Sequence, residues 1–513
     1  MTAPDAPRAS SWRSPIAHPL PWLLALAVAH VAVRVAVSPA LKWDEAEQIL
    51  WSQQLQLGYG PQPPLYAWLQ WAVVQVLGPG VLALSLLKHA LLAAAYALAW
   101  LVGRELLGPR GAWWAAAGMM LLPPLGWYAI RDLTHTVLVT TVTCGAWWLL
   151  LRLVRQPRPA LFAWLGLVCG LGLLAKYSFA LVAVAMLLAA LSVPEARRAL
   201  LSRGWWWTPV VGALVVLPHA SWLLSHLHEA TAATVGKMQI QPERHLGTGL
   251  FNLLDVYVGT LGLWALIALW AFRSAWWRGP AAPADAAWAP RLFWRYLALI
   301  TLALLGMVVL VGVTDFKGRW VVPLLCVVPL AAFAARPGLQ ELARAGRRYT
   351  GAVIAVVLFV LVAAGARPWV GGLRGGQADG LSHPVVALAE ALRAAGYDGH
   401  SRIIATDHLL AGMLRTRFPQ APASACTFTD ESALACVAAN IDSARRAGTG
   451  WLLVSRDDYT EPAWWDRAES LLPPEGEGVK PKLIELPYDM VPADAPPARY
   501  RYSWHPAMKK GER

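Results

Sequence analysis

Trp43-Asp44-Glu45-Ala46-Glu47 is followed, a short way on, by Gly58-Tyr59-Gly60-Pro61-Gln62-Pro63-Pro64-Leu65. An acidic cluster and a proline turn therefore stand directly after the first apolar run, residues 20–37. Carboxylates at a membrane surface are costly unless they have a role. The composition says that the surface is a membrane's. Of 513 residues, 57% are hydrophobic and 15% charged, and the mean hydropathy is +0.44. The apolar residues come in runs of about 17–23, the length of helix that crosses a hydrocarbon core. No soluble domain of this length has that pattern.

The formal net charge is +13, almost all from arginine. A basic chain suggests nucleic acid, but these arginines sit in short loops between apolar runs. That is the positive-inside pattern, and it leaves no nucleic-acid footprint. The 29 tryptophans suit interfacial belts and carbohydrate contact alike, and belts account for most of them. Arg8 and Arg13 precede the first apolar run without a small-residue cleavage site after it, so the run reads as an uncleaved first span.

Eleven spans are expected, near 20–37, 80–102, 112–130, 133–151, 160–175, 177–193, 206–224, 251–272, 296–313, 319–335 and 350–366. With the N-terminus inside, every arginine-rich loop then falls on the cytoplasmic face. This requires the short apolar stretch from Leu65 to Leu77 to lie in the outer interface without crossing. It also requires a break near Lys176, because one helix over 160–193 would invert every later loop. The first outer loop then covers 38–79, and the membrane domain covers residues 1–367. From Pro368 the pattern changes to a Gly-rich linker and then to alternating helix and strand signals. Helices are expected at 384–395, 408–418 and 433–447, and strands at 402–406, 451–455 and 483–486. Residues 368–513 are expected to form a small α/β domain on the extracytoplasmic side. There Cys426 and Cys436 could form a disulfide; Cys144, Cys169 and Cys326 lie in apolar runs as packing residues.

On the outer face the cations are few: Lys42, Arg131, Lys176, Lys237, Arg244, Lys317 and Arg319. A cation at a span end can bind a lipid phosphate, or it can simply snorkel. Lys176 is the least easily explained as snorkelling, since it interrupts an apolar run. The acids on that face are Asp44, Glu45, Glu47, Asp132 and Asp315. Glycosyl transfer needs a base for the acceptor hydroxyl, and a carboxylate suits it. A carboxylate could equally hold a divalent metal. The alternatives stay open: Asp44-x-x-Glu47 is also a capping pattern, and Asp132 could cap the span beginning at Leu133. Arg131 and His135 flank Asp132 and could hold a phosphate or a sugar hydroxyl. His219, His226, His228 and His245 surround the 225–250 loop; no pair has a strong ligand signature, and metal binding and a substrate-gating loop both stay open.

Asp44-Glu45 after the first span, Gly58-Tyr59, and Pro63-Pro64-Leu65 with Trp68 resemble the bacterial branch of the protein-mannosyltransferase-like superfamily. That branch includes the aminoarabinose transferases that modify lipid A. Arg131-Asp132, Ala175-Lys176-Tyr177 and Lys317-Gly318-Arg319-Trp320 with Pro323 fit the same pattern, over residues 20–335. The resemblance implies a polytopic α-helical GT-C fold with interfacial helices in the first outer loop. It implies an integral-membrane glycosyltransferase at the periplasmic face of the bacterial inner membrane. The donor would be a polyprenyl-phosphate sugar, in bacteria undecaprenyl phosphate, and the acceptor lipid A or another envelope glycan. Asp44, Glu45 and Asp132 are then the candidate catalytic acids. Lys176, Lys317, Arg319 and Arg131 are the candidates for the donor phosphate, and Tyr59, Gln62, His135 and Tyr177 for substrate contact. Many members have a basic residue before the Pro-Pro pair where this chain has Gln62, so no metal or cofactor is assigned. The competing readings are a transporter or flippase for lipid-linked glycans and a non-catalytic assembly subunit. Transporters place charge at the midplane on paired repeats, which this sequence does not show.

Overall fold

A computed structural model describes residues 18–228, 230–231, 236, 238, 245–279, 282–283, 286–373, 379–427, 432–460, 462–469 and 481–507. Lys237 and Arg244 lie outside the described residues. The chain forms two compact units. One holds residues 1–30, 56–66 and 88–361; the other holds 31–55, 67–87 and 362–513.

The first unit is helical, and its helices follow the apolar runs. Each of the eleven expected segments falls on helix. Among the described residues, eight helices are long and apolar enough to cross a membrane: Leu20–Val37, Val81–Leu106, His135–Arg155, Trp207–Ser225, Leu246–Phe272, Trp288–Val311, Gly318–Ala335 and Ala343–Val370. A ninth counts if Phe179–Ser192 and Pro194–Leu200, bent by 111°, form one span. The remaining two segments differ in form. Pro159–Ala175 is a shorter apolar helix. Residues 112–130 are not one helix: Pro109–Met120 ends, a π-turn runs over Pro124–Tyr128, and a short helix follows at Ala129–Arg131. Pro123 and Pro124 lack the amide donors that a continuous ladder needs there.

Several of these helices are apolar all round yet barely covered by protein. Only 6% of the most apolar window of Trp207–Ser225 is buried, against 78% for His135–Arg155. Apolar surface left open in this way is surface that lipid covers. Helix contacts in the unit rely on small residues. Gly166 and Gly170, four apart on Pro159–Ala175, abut Thr208, Gly212 and Val215 on Trp207–Ser225; a Cβ at Gly166 would lie 2.4 Å from the Thr208 carbonyl oxygen. Without a hydrophobic drive between helices in lipid, such close backbone approach supplies the packing.

The arginine-rich helix ends gather at one end of this unit. Arg152 and Arg155 pair with Glu105 at 3.6 and 3.1 Å, and Arg291 pairs with Glu195 at 3.2 Å. Arg295 donates to the Ser192 carbonyl, and Gly204 rests on Pro159. Pro159–Ala175 leaves from that end. At its far end Lys176 is extended, at φ −166° and ψ 136°, so the chain breaks where the loop pattern needs it to.

In the second unit, the described residues from 402 onward build a five-stranded sheet in the order β2-β1-β3-β5-β4. The strands are β1 (Arg402–Ala405), β2 (Ala423–Ala425), β3 (Trp451–Arg456), β4 (Lys482–Leu486) and β5 (Ala498–His505). β1 pairs in parallel with β2 and β3, while β5 is antiparallel to β3 and β4. β3 is buried along its whole length. Helices Val385–Ala394, His408–Arg417 and Ala433–Ala447 match the expected ones within two residues. Cys426 and Cys436 are joined in a disulfide. The same unit contains the acidic helix, Trp43–Trp51, and the apolar helix Leu65–Leu77 continues into it. At 13 residues that second helix is about 20 Å long, short of the ~30 Å hydrocarbon core.

Candidate active site

The candidate acids Asp44 and Glu45 belong to the second unit and have different surroundings. The acidic helix starts at Trp43 with Lys42 as its N-cap. Glu45 Oε2 accepts from the Lys42 amide at 3.0 Å, so the capping carboxylate is Glu45. Asp44, with Glu47 as its partner, therefore does not cap the helix, which begins one residue before Asp44. Glu45 is 1% exposed and takes a two-pronged bond from Arg34: Nη2 to Oε2 at 2.6 Å and Nε to Oε1 at 3.1 Å. Arg34 also donates to the carbonyls of Ser38 and Ala40. Both oxygens of Glu45 are thus engaged in fixing the helix to the end of the first span. Asp44 is only half-buried. Glu47 accepts from the Trp43 indole N–H at 3.0 Å. Lys42 and Arg367 both pair with Asp379, which ties the loop before the helix to the start of the α/β region.

Most of the candidate cations belong to the first unit. Lys176 Nζ donates to Thr136 Oγ1 at 3.0 Å and to the Arg319 carbonyl at 3.2 Å, and Thr136 Oγ1 donates to the same carbonyl at 3.1 Å. Three helix ends, at 136, 176 and 319, are thereby pinned together. Among the described residues no group accepts from the Arg319 guanidinium, which is half-buried. Lys317 pairs with Asp315 at 3.2 Å and lies 6.0 Å from the Trp320 ring. His135 is buried, with Nδ1 3.3 Å from the Ala175 carbonyl and its ring 5.3 Å from Tyr66.

Arg131 and Asp132 pair with each other at 3.5 Å. Arg131 also faces the rings of Trp127 and Tyr128, and its Nε is buried without a partner among the described residues. Asp132 does not cap the next span: that helix starts at His135 behind Thr134, and Asp132 ends the preceding short helix.

The Gly58–Leu65 motif is a tight turn. Tyr59 and Gln62 exchange backbone hydrogen bonds at 3.2 Å, and Gly60 has φ +54°. Tyr59 is buried, and its hydroxyl accepts from the Gln56 amide at 3.0 Å. A Cβ at Gly58 would lie 2.2 Å from the Trp222 ring. Next to that ring, His219 donates from Nδ1 to the Leu57 carbonyl at 2.6 Å. Its Nε2 then accepts from the Tyr177 hydroxyl at 3.3 Å. Arg34, Thr136, His219 and Trp222 were not singled out as site residues by the sequence. A lone arginine inside the 20–37 apolar run is a signal for the first, and His219 stands among the histidines around the 225–250 loop; Thr136 and Trp222 carry none. His219 and His226 stack on Trp222. Among the described residues no three His, Cys, Asp or Glu side chains are grouped to hold a metal, and the His245 side chain is not among those described.

The family described as dolichyl-phosphate-mannose-protein mannosyltransferase matches residues 61–222. Over 411 residues the chain is 33% identical to the lipopolysaccharide core galacturonosyltransferase RgtB of Rhizobium johnstonii, covering 78% of this chain and 82% of that protein. It is 34% identical over 410 residues to RgtA of the same organism, covering 78% and 80%. The chain belongs to the GT-C glycosyltransferase family. It is a multi-pass membrane glycosyltransferase. The fold is also that of a solved GT-C enzyme. ArnT from Cupriavidus metallidurans, bound to undecaprenyl phosphate, superposes with a TM-score of 0.60 over 94% of this chain and 97% of that one, at 13% identity.

Proposed function

We propose that the chain transfers a galacturonosyl residue from a polyprenyl-phosphate donor to lipopolysaccharide core or lipid A, at the periplasmic face of the inner membrane. The observation that carries this reading is the similarity to RgtB and RgtA over about four-fifths of their lengths. The polyprenyl-phosphate donor is supported by the cation group of Lys176 and Arg319. When the acceptor oxygen attacks the anomeric carbon, the bond from that carbon to the phosphate oxygen breaks. The phosphate leaves with one more negative charge, and fixed cations stabilise that charge most. Asp44 is the base that takes the proton of the acceptor hydroxyl. Glu45 acts through position, because Arg34 and the Lys42 amide occupy its oxygens. Asp132, paired to Arg131, is the weaker candidate for chemistry. Lys317, Arg131, Tyr59, Gln62, His135 and Tyr177 are proposed to shape the donor's surroundings.

The periplasmic orientation is supported by the arginine-rich ends gathered at one end of the first unit. The Cys426–Cys436 disulfide suits an oxidising compartment, which supports residues 368–513 as a periplasmic domain. The test is mass spectrometry of lipopolysaccharide and lipid A from cells lacking the protein, re-expressing wild type or Asp44→Asn at matched levels. A galacturonic-acid mass that wild type restores and Asp44→Asn does not is the expected result. In a purified assay Asp44→Asn should lower the rate about 100-fold or more. Equal restoration by both would remove Asp44 from the chemistry.

A further inference from the structure

In the second unit three aromatic rings meet beside the acidic helix. Trp43, the first residue of that helix, lies 5.7 Å from His408 and 6.2 Å from Tyr459. His408 begins helix His408–Arg417, and Tyr459 sits in the turn after β3. No sequence spacing joins these three segments; only the tertiary fold does.

The segments that carry the rings are held in place. The Trp43 indole N–H donates to Glu47. Asp407, fully buried, caps the helix that starts with His408, accepting from the Leu410 amide at 2.9 Å. Asp407 also accepts from Arg456 Nε at 3.1 Å, and the same guanidinium lies 5.1 Å from the Tyr459 ring centre. Behind the rings, Gly412 lies so close to Ala46 that a Cβ would sit 2.7 Å from the Ala46 Cα. The acidic helix and helix His408–Arg417 are therefore in backbone contact.

Trp43 is nevertheless 38% exposed, whereas Trp451, Trp464 and Trp465 of the same unit are 5%, 1% and 2% exposed. A ring that is oriented, braced and left open is not a packing residue. Its surroundings do not suit lipid tails either. Asp44 follows Trp43 directly, Glu47 is bonded to it, and Asp458, 50% exposed, is 3.5 Å from Arg456. Carboxylates next to an open aromatic face suit a ligand with an apolar face and hydroxyl edges. A sugar ring is such a ligand: its C–H face carries partial positive charge against the negative π-face, and its hydroxyls donate to carboxylates.

We infer that Trp43, with His408 and Tyr459, forms the platform that holds a sugar ring of the acceptor beside Asp44. This rests on the galacturonosyl-transfer reading, and it makes the α/β region part of acceptor recognition.

The test uses full-length protein in nanodiscs, with the galacturonate-free lipopolysaccharide of a deletion strain as acceptor and polyprenyl-phosphate galacturonate as donor. Equilibrium binding of that lipopolysaccharide is measured first, without donor, and steady-state transfer second. Trp43→Ala should weaken lipopolysaccharide binding and raise the acceptor KM about tenfold, and Trp43→Phe should recover most of the loss. Tyr459→Ala should weaken binding in the same direction and carries the test if Trp43→Ala does not fold. Donor KM should move much less than acceptor KM in each variant. Wild-type affinity in Trp43→Ala and Tyr459→Ala overturns the platform. So does a loss confined to membrane association, which would make Trp43 a lipid anchor. If wild type binds the lipopolysaccharide but transfers nothing, the transfer reading fails while the binding measurement still decides the platform.

Discussion

Asp44 and Glu45 are adjacent, but their carboxylates meet different surroundings, and variants should separate them. Glu45→Gln leaves the Arg34 guanidinium buried without its counter-charge. Breaking a buried pair from one side costs about 3–5 kcal/mol. Thermal unfolding of purified Glu45→Gln should therefore shift down strongly, while Asp44→Asn loses transfer. If Glu45→Gln melted like wild type with transfer abolished, Glu45 would be a chemical participant. Lys176 makes a comparable case for the donor. A charged hydrogen bond to a phosphate contributes about 1.5–3 kcal/mol, so Lys176→Ala should raise the donor KM by roughly 10- to 100-fold. Lys176→Arg should keep part of the affinity. An unchanged donor KM in Lys176→Ala would move the phosphate elsewhere.

Among elements, the acidic helix depends on a glycine of another helix. Gly412→Ala places a methyl against Ala46, an overpacking that costs about 1–3 kcal/mol. The expected outcome is a lower melting temperature together with reduced transfer, since the acidic helix must shift. Retained transfer with lowered stability would show that the helix tolerates the shift. The sheet offers a pH test. His383 accepts from Arg456 at Nε2 and stands 3.0 Å from the Tyr500 hydroxyl at Nδ1. Burial, with Arg456 and Lys42 beside it, lowers its pKa to about 3. In the unfolded chain it titrates near 6.5. Between these values the unfolded state holds a proton that the folded state lacks. This contribution to stability is complete above about pH 6.5 and falls by ~1.4 kcal/mol per pH unit as pH drops toward 3. Melting temperatures between pH 7.5 and 5 should show that loss, and His383→Gln should flatten it. Helices Val385–Ala394, His408–Arg417 and Ala433–Ala447 were legible from apolar periodicity, as were β1, β3 and β4, whereas helix Pro462–Glu469 was not expected. β2, with three residues, is too short to carry a pattern, and β5 (Ala-Arg-Tyr-Arg-Tyr-Ser-Trp-His) carries its alternation in arginine and aromatic residues.

For the whole molecule, the membrane reading and the compartment reading make separate predictions. The protein should stay with the membrane under alkaline carbonate, given eight helices among the described residues that are long and apolar enough to cross. Cys426 and Cys436 should be unreactive to thiol reagents until reduced, while Cys144, Cys169 and Cys326 are free. Replacing both cysteines by serine should cost about 2–4 kcal/mol, read as a lower melting temperature. Reactive thiols at 426 and 436 without reductant would contradict the periplasmic placement.

The sequence by itself determined where most of the apolar helices form, because apolar length and loop charge act locally along the chain, though not the break of 112–130 into separate helices. It located the break at Lys176, since only a break there keeps every arginine-rich loop on one face. The first-loop motif and its likeness to a family were also in plain view. The sequence left open whether Asp44 caps the acidic helix, because Asp44-x-x-Glu47 fits a capping pattern. Only tertiary structure decided that, by bringing Arg34 onto Glu45 and so committing its carboxylate. The same holds for Thr136 and Arg319 around Lys176, for Trp222 on Gly58, and for Tyr459 and His408 beside Trp43. Those partners are distant in sequence, and their contacts depend on how helices pack, which no local pattern records.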